Sequence, residues 1–181
     1  CQPVVVGDAA TMTRALRYTG VKQAIRPIRD LAEAVSDSGA IDVLDLANID
    51  LAKLQLGRVD PMAGKAAYEY IKAATELALA GRVGAIVTSA INKESLNRAG
   101  HHYSGHTELL ADLTGAADSV MLLAHGDMRV SHVSTHTALR KVYERLTPER
   151  LRRVVLLTAG ALRQLGIQHP RIAVAALNPH A

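Results

Sequence analysis

The chain has 181 residues, 49% hydrophobic and 21% charged, with a formal net charge of +4. That balance excludes a disordered chain, the single cysteine excludes an internal disulfide framework, and no apolar run approaches the ~18 residues a membrane-spanning helix needs. Aromatic residues are confined to five Tyr, with no Phe or Trp, so the core must be built from Ala, Val, Leu and Ile, and no aromatic stacking platform accompanies the dispersed Lys and Arg to suggest nucleic-acid binding.

Pro3 to Val6 reads as a short apolar strand. Asp8 is placed to cap a helix over Ala9 to Tyr18, and Gly20 closes it. Ile41 to Leu46 is a second predicted strand, and Asn48 to Pro61 shows no periodicity and reads as loop. Lys65 to Ala80 carries Tyr70, Ile71, Ala74, Leu77 and Ala78 on one stripe, the pattern of a half-buried helix ended by Gly81. Val83 to Ser89 is a near-continuous apolar run, the signature of a buried parallel strand.

Asn92 caps a predicted short helix through Leu96 to Arg98, ended by Gly100. Thr107 to Leu113 is another predicted helix, stopped by Gly115. Ser119 to Ala124 and Val130 to Thr135 read as strands on either side of a Gly126-Asp127 turn. Thr147-Pro148-Glu149 combines a cap, a proline at the first position and an acid in the first turn. The helix it starts carries Leu151, Val154, Val155, Leu162 and Leu165 as its apolar stripe and ends at Gly166. Arg171 to Leu177 is the last predicted strand. Strands alternating with helices imply an α/β fold of three layers, α/β/α, around a mainly parallel sheet.

In such sheets ligands bind beyond the carboxyl ends of the strands. Thr88-Ser89, His136 and His180 all fall at predicted strand ends. His132 and His136 are four residues apart, but on a strand that separates them by ~13 Å, too far to share one ion. His136 is the candidate ligand and His132 the candidate hydrogen-bonded core or interface histidine. His180, after Asn178-Pro179, reads equally as a ligand or as a loop residue. Gly105-His106-Thr107 opens a helix whose exposed amides suit an anion, although ordinary capping by Thr107 explains the same residues. Lys93 stands near the same mouth as a candidate anion contact or a plain surface lysine. His101 and His102 are adjacent and point different ways, a poor metal pair. Neither GxGxxG nor a P-loop nor GxSxG occurs.

Four phrases together resemble one family: Thr88-Ser89-Ala90-Ile91-Asn92-Lys93, Ala99 to Glu108 (AGHHYSGHTE), Val133-Ser134-Thr135-His136, and Leu177-Asn178-Pro179-His180-Ala181. Their order and spacing are similar to the 4-hydroxythreonine-4-phosphate dehydrogenase family of vitamin B6 synthesis. The wording MLLAHGDMRVSHVSTHTAL resembles its D-threonate/D-erythronate 4-phosphate branch. The resemblance implies an isocitrate/isopropylmalate dehydrogenase-like fold of two lobes, in a homodimer with a shared active site. It implies NAD or NADP and a divalent metal (zinc, manganese, magnesium or cobalt) as cofactors. It assigns His136 and His180 to the metal, and His106 and Thr107 to the substrate.

It also implies that residues 1–181 are one α/β region, the central part of a longer enzyme. An amino-terminal strand with a Gly-Asp-Pro-Ala-Gly phrase and a carboxyl-terminal segment with a third metal histidine are expected outside it. The expected chemistry is oxidation of a phosphorylated hydroxy acid followed by decarboxylation, in the cytoplasm, with no nucleic-acid or membrane partner. A cis-dihydrodiol dehydrogenase of the same family and a metal-dependent phosphatase or hydrolase are the alternatives.

Overall fold

The computed structural model of the chain describes residues 2–35, 39–135 and 137–178. They divide into two compact units, Cys1–Ala116 and Ala117–Ala181. Among the described residues, no helix is long and apolar enough to cross a membrane.

The first unit is built on a parallel sheet of three strands, β1 (Val5–Gly7), β2 (Ala24–Ile28) and β3 (Ala40–Asp45), in the order β1-β3-β2. Helix α1 (Ala9–Thr19) links β1 to β2. Asp8 caps it, accepting from the Thr11 amide at 2.6 Å, and Gly20 closes it in the left-handed conformation at φ 68°. β2 has no counterpart among the sequence-predicted strands. Its sequence, AIRPI, hides the signal, because Arg26 breaks the apolar pattern and Pro27 cannot donate to a ladder. Both are tolerated because β2 pairs only with β3 among the described residues, leaving an edge for the proline. Arg26 sits directly opposite Asp42 on β3 and forms an ion pair with it, while Asp42 also accepts from the Val35 amide at 2.9 Å. The buried carboxylate is thus paired and hydrogen-bonded, as burial demands.

Helix α2 (Pro61–Leu79) begins a turn earlier than its periodicity predicts. Asp60 caps it through the Met62 amide at 2.8 Å and Pro61 occupies the first position. It packs on β1 and on two short helices, α3 (Lys93–Arg98) and α4 (His106–Thr114). Val43, Ile28, Ile71, Leu96 and Leu109 form the buried centre. Each such aliphatic side chain stabilises the unit by about 1.5–3 kcal/mol relative to exposure.

The stretch from Val83 to Ser89 departs from expectation. It is not a strand, and Val87 is 96% exposed. A parallel strand exists only through hydrogen bonds to a neighbour, and no described residue offers one to this stretch. An apolar run therefore specifies a strand only where a partner edge is within reach.

The second unit holds a hairpin of β4 (Leu122–His125) and β5 (Met128–Ser131), followed by α5 (Val142–Arg145) and α6 (Pro148–Gln164). The pairing is antiparallel, with His125 opposite Met128. The two-residue turn carries Gly126 at φ 52°, the positive value that the first position of a tight hairpin turn favours. The sheet in this unit is thus a hairpin rather than part of a parallel array, and its first strand begins later, and its second earlier, than the predicted ones. Arg171 to Leu177 is not a strand and is mostly exposed.

Helix α6 starts as predicted, with Thr147 Oγ1 accepting from the Arg150 amide at 3.1 Å. Its buried face is Val154, Thr158, Ala159 and Leu162. Leu151 and Leu165 are exposed, the latter by 62%, and so fall outside the stripe assigned to them. Thr158 replaces them by donating to the Val154 carbonyl at 2.7 Å, with its Oγ1 also 2.8 Å from Ser131 Oγ on β5.

Candidate functional site

The site in the first unit is assembled by two consecutive short helices. Asn92 caps α3 by accepting from the Ser95 amide at 2.8 Å, which makes Lys93 the first helical residue. Gly100 at φ 90° turns the chain out of α3, and the His101 amide closes that end on the Leu96 carbonyl at 3.1 Å. The His101 ring then stacks on Tyr68 of α2, with centroids 3.6 Å apart and planes 10° from parallel. Tyr103 lies beyond, parallel to Tyr68 at 6.5 Å, and donates from its hydroxyl to Asp112 Oδ2 at 2.6 Å. His101 is therefore a stacking residue.

Gly105 is the N-cap of α4 and supplies no side-chain cap. Glu108 reaches back past it to accept from the Ser104 amide at 2.7 Å, and that bond, then one to the Ser104 hydroxyl, holds the carboxyl below its ordinary value. Thr107 is an exposed residue inside the first turn, not the cap, so the ordinary capping explanation for it fails. The helix start consequently keeps its free amides and the positive end of its dipole. His106 is half-buried, and its Nε2 is buried with no hydrogen-bond partner among the described residues. A buried polar nitrogen without a partner costs about 1–3 kcal/mol.

His106, Thr88 and Ser89 border one cavity of about 550 Å³, together with Tyr70 and Ile71 of α2 and Val5 of β1. Sequence reasoning placed Tyr70 in a packing stripe and missed its polar end. The Tyr70 hydroxyl donates to Asn48 Oδ1 at 2.8 Å, and Asn48 Nδ2 donates to Glu69 Oε2 at 2.6 Å. Burial, and then the charges of Asp8, Asp45 and Glu69, hold the Tyr70 phenol well above its ordinary value. The available signal was a tyrosine in an otherwise aliphatic stripe, since a buried hydroxyl needs a partner. Asp8 is 3% exposed and uses its second oxygen to accept from the Ile49 amide at 3.3 Å, so its role as a cap extends to fixing the loop after β3.

In the second unit, Ser134, Thr135, Thr137, Arg145 and Thr147 border a polar cavity of about 530 Å³. Thr135 and Thr137 are the chain neighbours of His136. His136 and His180 themselves lie outside the described residues. Among the described residues no group of three or more His, Cys, Asp or Glu is arranged to hold a metal ion. His132 follows β5 directly, and its amide reaches the Met121 carbonyl at 3.4 Å. It is half-buried, and its Nδ1 has no hydrogen-bond partner among the described residues. Arg150 organises this unit by donating to Asp118 Oδ1 at 2.6 Å, the Val133 carbonyl at 3.0 Å and the Ser119 carbonyl at 3.2 Å.

Comparison with known proteins sets these features in a family. The model of the pyridoxal phosphate biosynthetic protein PdxA family matches residues 1–181. A relative from Bradyrhizobium diazoefficiens, provisionally named a D-threonate 4-phosphate dehydrogenase, is 65% identical over 118 residues, covering 65% of this chain and 34% of the relative. A relative of the same name from Clostridium botulinum is 41% identical over 181 residues, covering 100% of this chain and 54% of its own. The crystal structure of a 4-hydroxythreonine-4-phosphate dehydrogenase from Klebsiella pneumoniae superimposes with a TM-score of 0.92 at 43% identity, over 98% of this chain and 55% of that one. The chain spans about half the length of those two full-coverage matches. The α/β fold expected from the sequence is therefore the fold of these relatives, and the chain belongs to the PdxA family.

Proposed function

We propose that the full-length protein oxidises the secondary hydroxyl of a phosphorylated hydroxy acid. The substrate class is D-threonate or D-erythronate 4-phosphate, or 4-phosphohydroxy-L-threonine. The carbinol C–H leaves as hydride to the nicotinamide of NAD or NADP, and the hydroxyl proton is released. The resulting 3-keto acid then loses CO2, the electron pair of the breaking C–C bond passing into an enolate. The observation that carries this reading is the match along the whole chain to relatives named for that substrate class.

The residues of the first unit supply binding. The uncapped start of α4 offers amides and dipole to a phosphate or carboxylate. Thr107 adds an exposed hydroxyl beside them, and the unpartnered His106 Nε2 gains in a ligand the hydrogen bond it lacks. Such contacts orient the substrate, and orientation alone contributes substantially to rate.

In this reading His136 and His180 would hold a divalent metal, with a third donor from outside this chain. Paired imidazoles suit zinc, manganese or cobalt in donor chemistry. When bound, the ion supplies Lewis acidity toward hydroxyl and carboxylate oxygens. A homodimer sharing this site is part of the same proposal.

The test is to follow nicotinamide reduction by the purified full-length protein with each phosphorylated acid and its dephosphorylated form. Turnover of a phosphorylated acid at a kcat/KM at least about a hundredfold above its free counterpart supports the reading. Equal turnover of both, or none of either, contradicts it.

A further inference from the structure

We infer that Tyr68 is a positioning residue: by stacking on His101 it fixes the segment 101–105, and through it the place of His106 and Thr107. The inference rests on the proposed role of His106 and Thr107 in holding the substrate. It assigns Tyr68 and His101 no contact of their own with that substrate.

Residues 99–105 join α3 to α4, and none of them is buried. The segment therefore takes its place from side-chain contacts rather than from a core residue of its own. From 101 to 105 exposure alternates: His101, Tyr103 and Gly105 are half-buried, and His102 and Ser104 are exposed. A period of two is that of an extended segment lying with one side against a support. The support is Tyr68. The His101 ring stacks on it at 3.6 Å, 10° from parallel, and the Tyr103 ring runs parallel to it at 6.5 Å.

Tyr68 is suited to be the fixed point. It stands four residues after Gly64, on the same face of α2, and Gly64 meets the backbone of Ser95 with no room for a Cβ between them. The ends of the segment are tied separately. The His101 amide donates to the Leu96 carbonyl at 3.1 Å, the Tyr103 hydroxyl to Asp112 at 2.6 Å, and the Ser104 amide to Glu108 at 2.7 Å. These bonds hold the segment to the helices on either side of it, and the stack holds it to α2. The core of this unit is aliphatic, so bulk alone does not account for rings here. Two flat faces fix orientation as well as distance, which an aliphatic contact does not. His106 follows the segment directly, and displacing a substrate-holding group by about 1 Å is enough to cost affinity or rate.

The experiment uses the full-length protein and three readouts: D-threonate 4-phosphate binding by titration calorimetry, KM and kcat for the same compound, and the His106 imidazole signals in the NMR spectrum of the ligand-free protein. Tyr68→Leu keeps apolar bulk and removes the ring. It is expected to weaken binding by about three- to tenfold, the range a stacked pair contributes, to raise KM in proportion with a smaller change in kcat, and to shift the His106 signals. Tyr68→Phe, which keeps the ring, should restore wild-type values. His101→Ala should reproduce the loss, and the double variant should lose no more than either single one, because the two rings act as a pair. Tyr18→Leu, which removes an exposed ring elsewhere in the unit, should match wild type.

Wild-type affinity with unshifted His106 signals in Tyr68→Leu overturns the inference, whatever the variant's thermal stability, because the stack is then structural only. If Tyr68→Leu does not fold, His101→Ala decides by the same criterion. If the wild type binds no D-threonate 4-phosphate, that substrate reading falls and the His106 signals decide alone. Shifted signals in Tyr68→Leu then keep Tyr68 as the residue that sets the turn, and unshifted signals remove it.

Discussion

Gly64 of α2 lies so close to Ser95 of α3 that a Cβ at residue 64 would sit 2.0 Å from the Ser95 carbonyl oxygen and 2.2 Å from its carbon. The obstacle is backbone, which cannot rotate away. Ser95 Oγ also accepts from the Asp60 amide at 3.1 Å, just before α2 begins, and Leu96 beside it is fully buried. This contact sets the height of α3 on α2, and through it the place of Lys93 and the chain leading to His106.

Gly64→Ala is therefore expected to destabilise the protein by about 3 kcal/mol or more, the upper range for overpacking, because α3 must lift as a unit. Gly160→Ala is the opposite case. Gly160 lies inside α6 with nothing within 4 Å of the position of its Cβ, so alanine should stabilise by about 0.5–1 kcal/mol through helix propensity. Denaturant midpoints of the two variants check both signs.

Arg150 and Asp118 give the second unit a dependence on acid. Burial pushes the Asp118 carboxyl up, but the Ser119 amide, the Arg150 hydrogen bond and the charges of Arg150 and Arg153 together outweigh it and hold the carboxyl below its ordinary value. A lowered folded value means that the stabilisation is present above the unfolded value near 3.9 and is lost as pH falls through the folded one. Asp118→Asn should thus be less stable than wild type at pH 7, with the gap closing on acidification toward pH 2. Arg150→Ala, which strands one carboxylate and two carbonyls, should cost about 1–3 kcal/mol at neutral pH, a range kept modest by the partial exposure of the pair. Urea unfolding across this pH range measures both effects.

Two of the five tyrosines should resist alkali. The hydrogen bond to Asp112, then partial burial, pushes the Tyr103 phenol up to about 12, and Tyr70 is held higher still. A raised folded value makes the associated stability complete below the unfolded value near 10 and progressively lost above it. Spectroscopic titration of the folded protein should show Tyr70 and Tyr103 still protonated at pH 11. Asp112→Asn removes the charged acceptor and should bring the titration of Tyr103 down toward 10, leaving Tyr70 unchanged.

What the sequence revealed follows from where the physics is local. The caps at Asp8, Asn92 and Thr147 and the stops at Gly20, Gly100 and Gly115 were readable because each acts within one turn of its own helix. The strands fared differently, since a strand is a property of two segments. β2 was hidden by Arg26 and Pro27 until Asp42 and an open edge explained them. The apolar run 83–89 promised a strand that no described neighbour completes. In the site, the Gly-His-Thr turn was legible as a helix start, but that Thr107 is not its cap became visible only from Gly105. The hydroxyl partner of Tyr70 depends on Asn48 in a loop without periodicity. His136 and His180 were named on resemblance and on position after predicted strands, and they lie outside the described residues.

In the proposed function, the full-length protein oxidises a phosphorylated hydroxy acid with metal assistance, and His136 and His180 would be the ligands. The most direct test is the rate of nicotinamide reduction by full-length enzyme on D-threonate 4-phosphate before and after exhaustive chelation, with readdition of zinc, manganese, magnesium or cobalt, alongside His136→Ala. On that proposal chelation should abolish turnover, one of these ions should restore it, and His136→Ala should lose at least about a thousandfold in kcat with or without added metal, comparable to the several kcal/mol that a catalytic ion supplies. Turnover that survives both chelation and His136→Ala would contradict it.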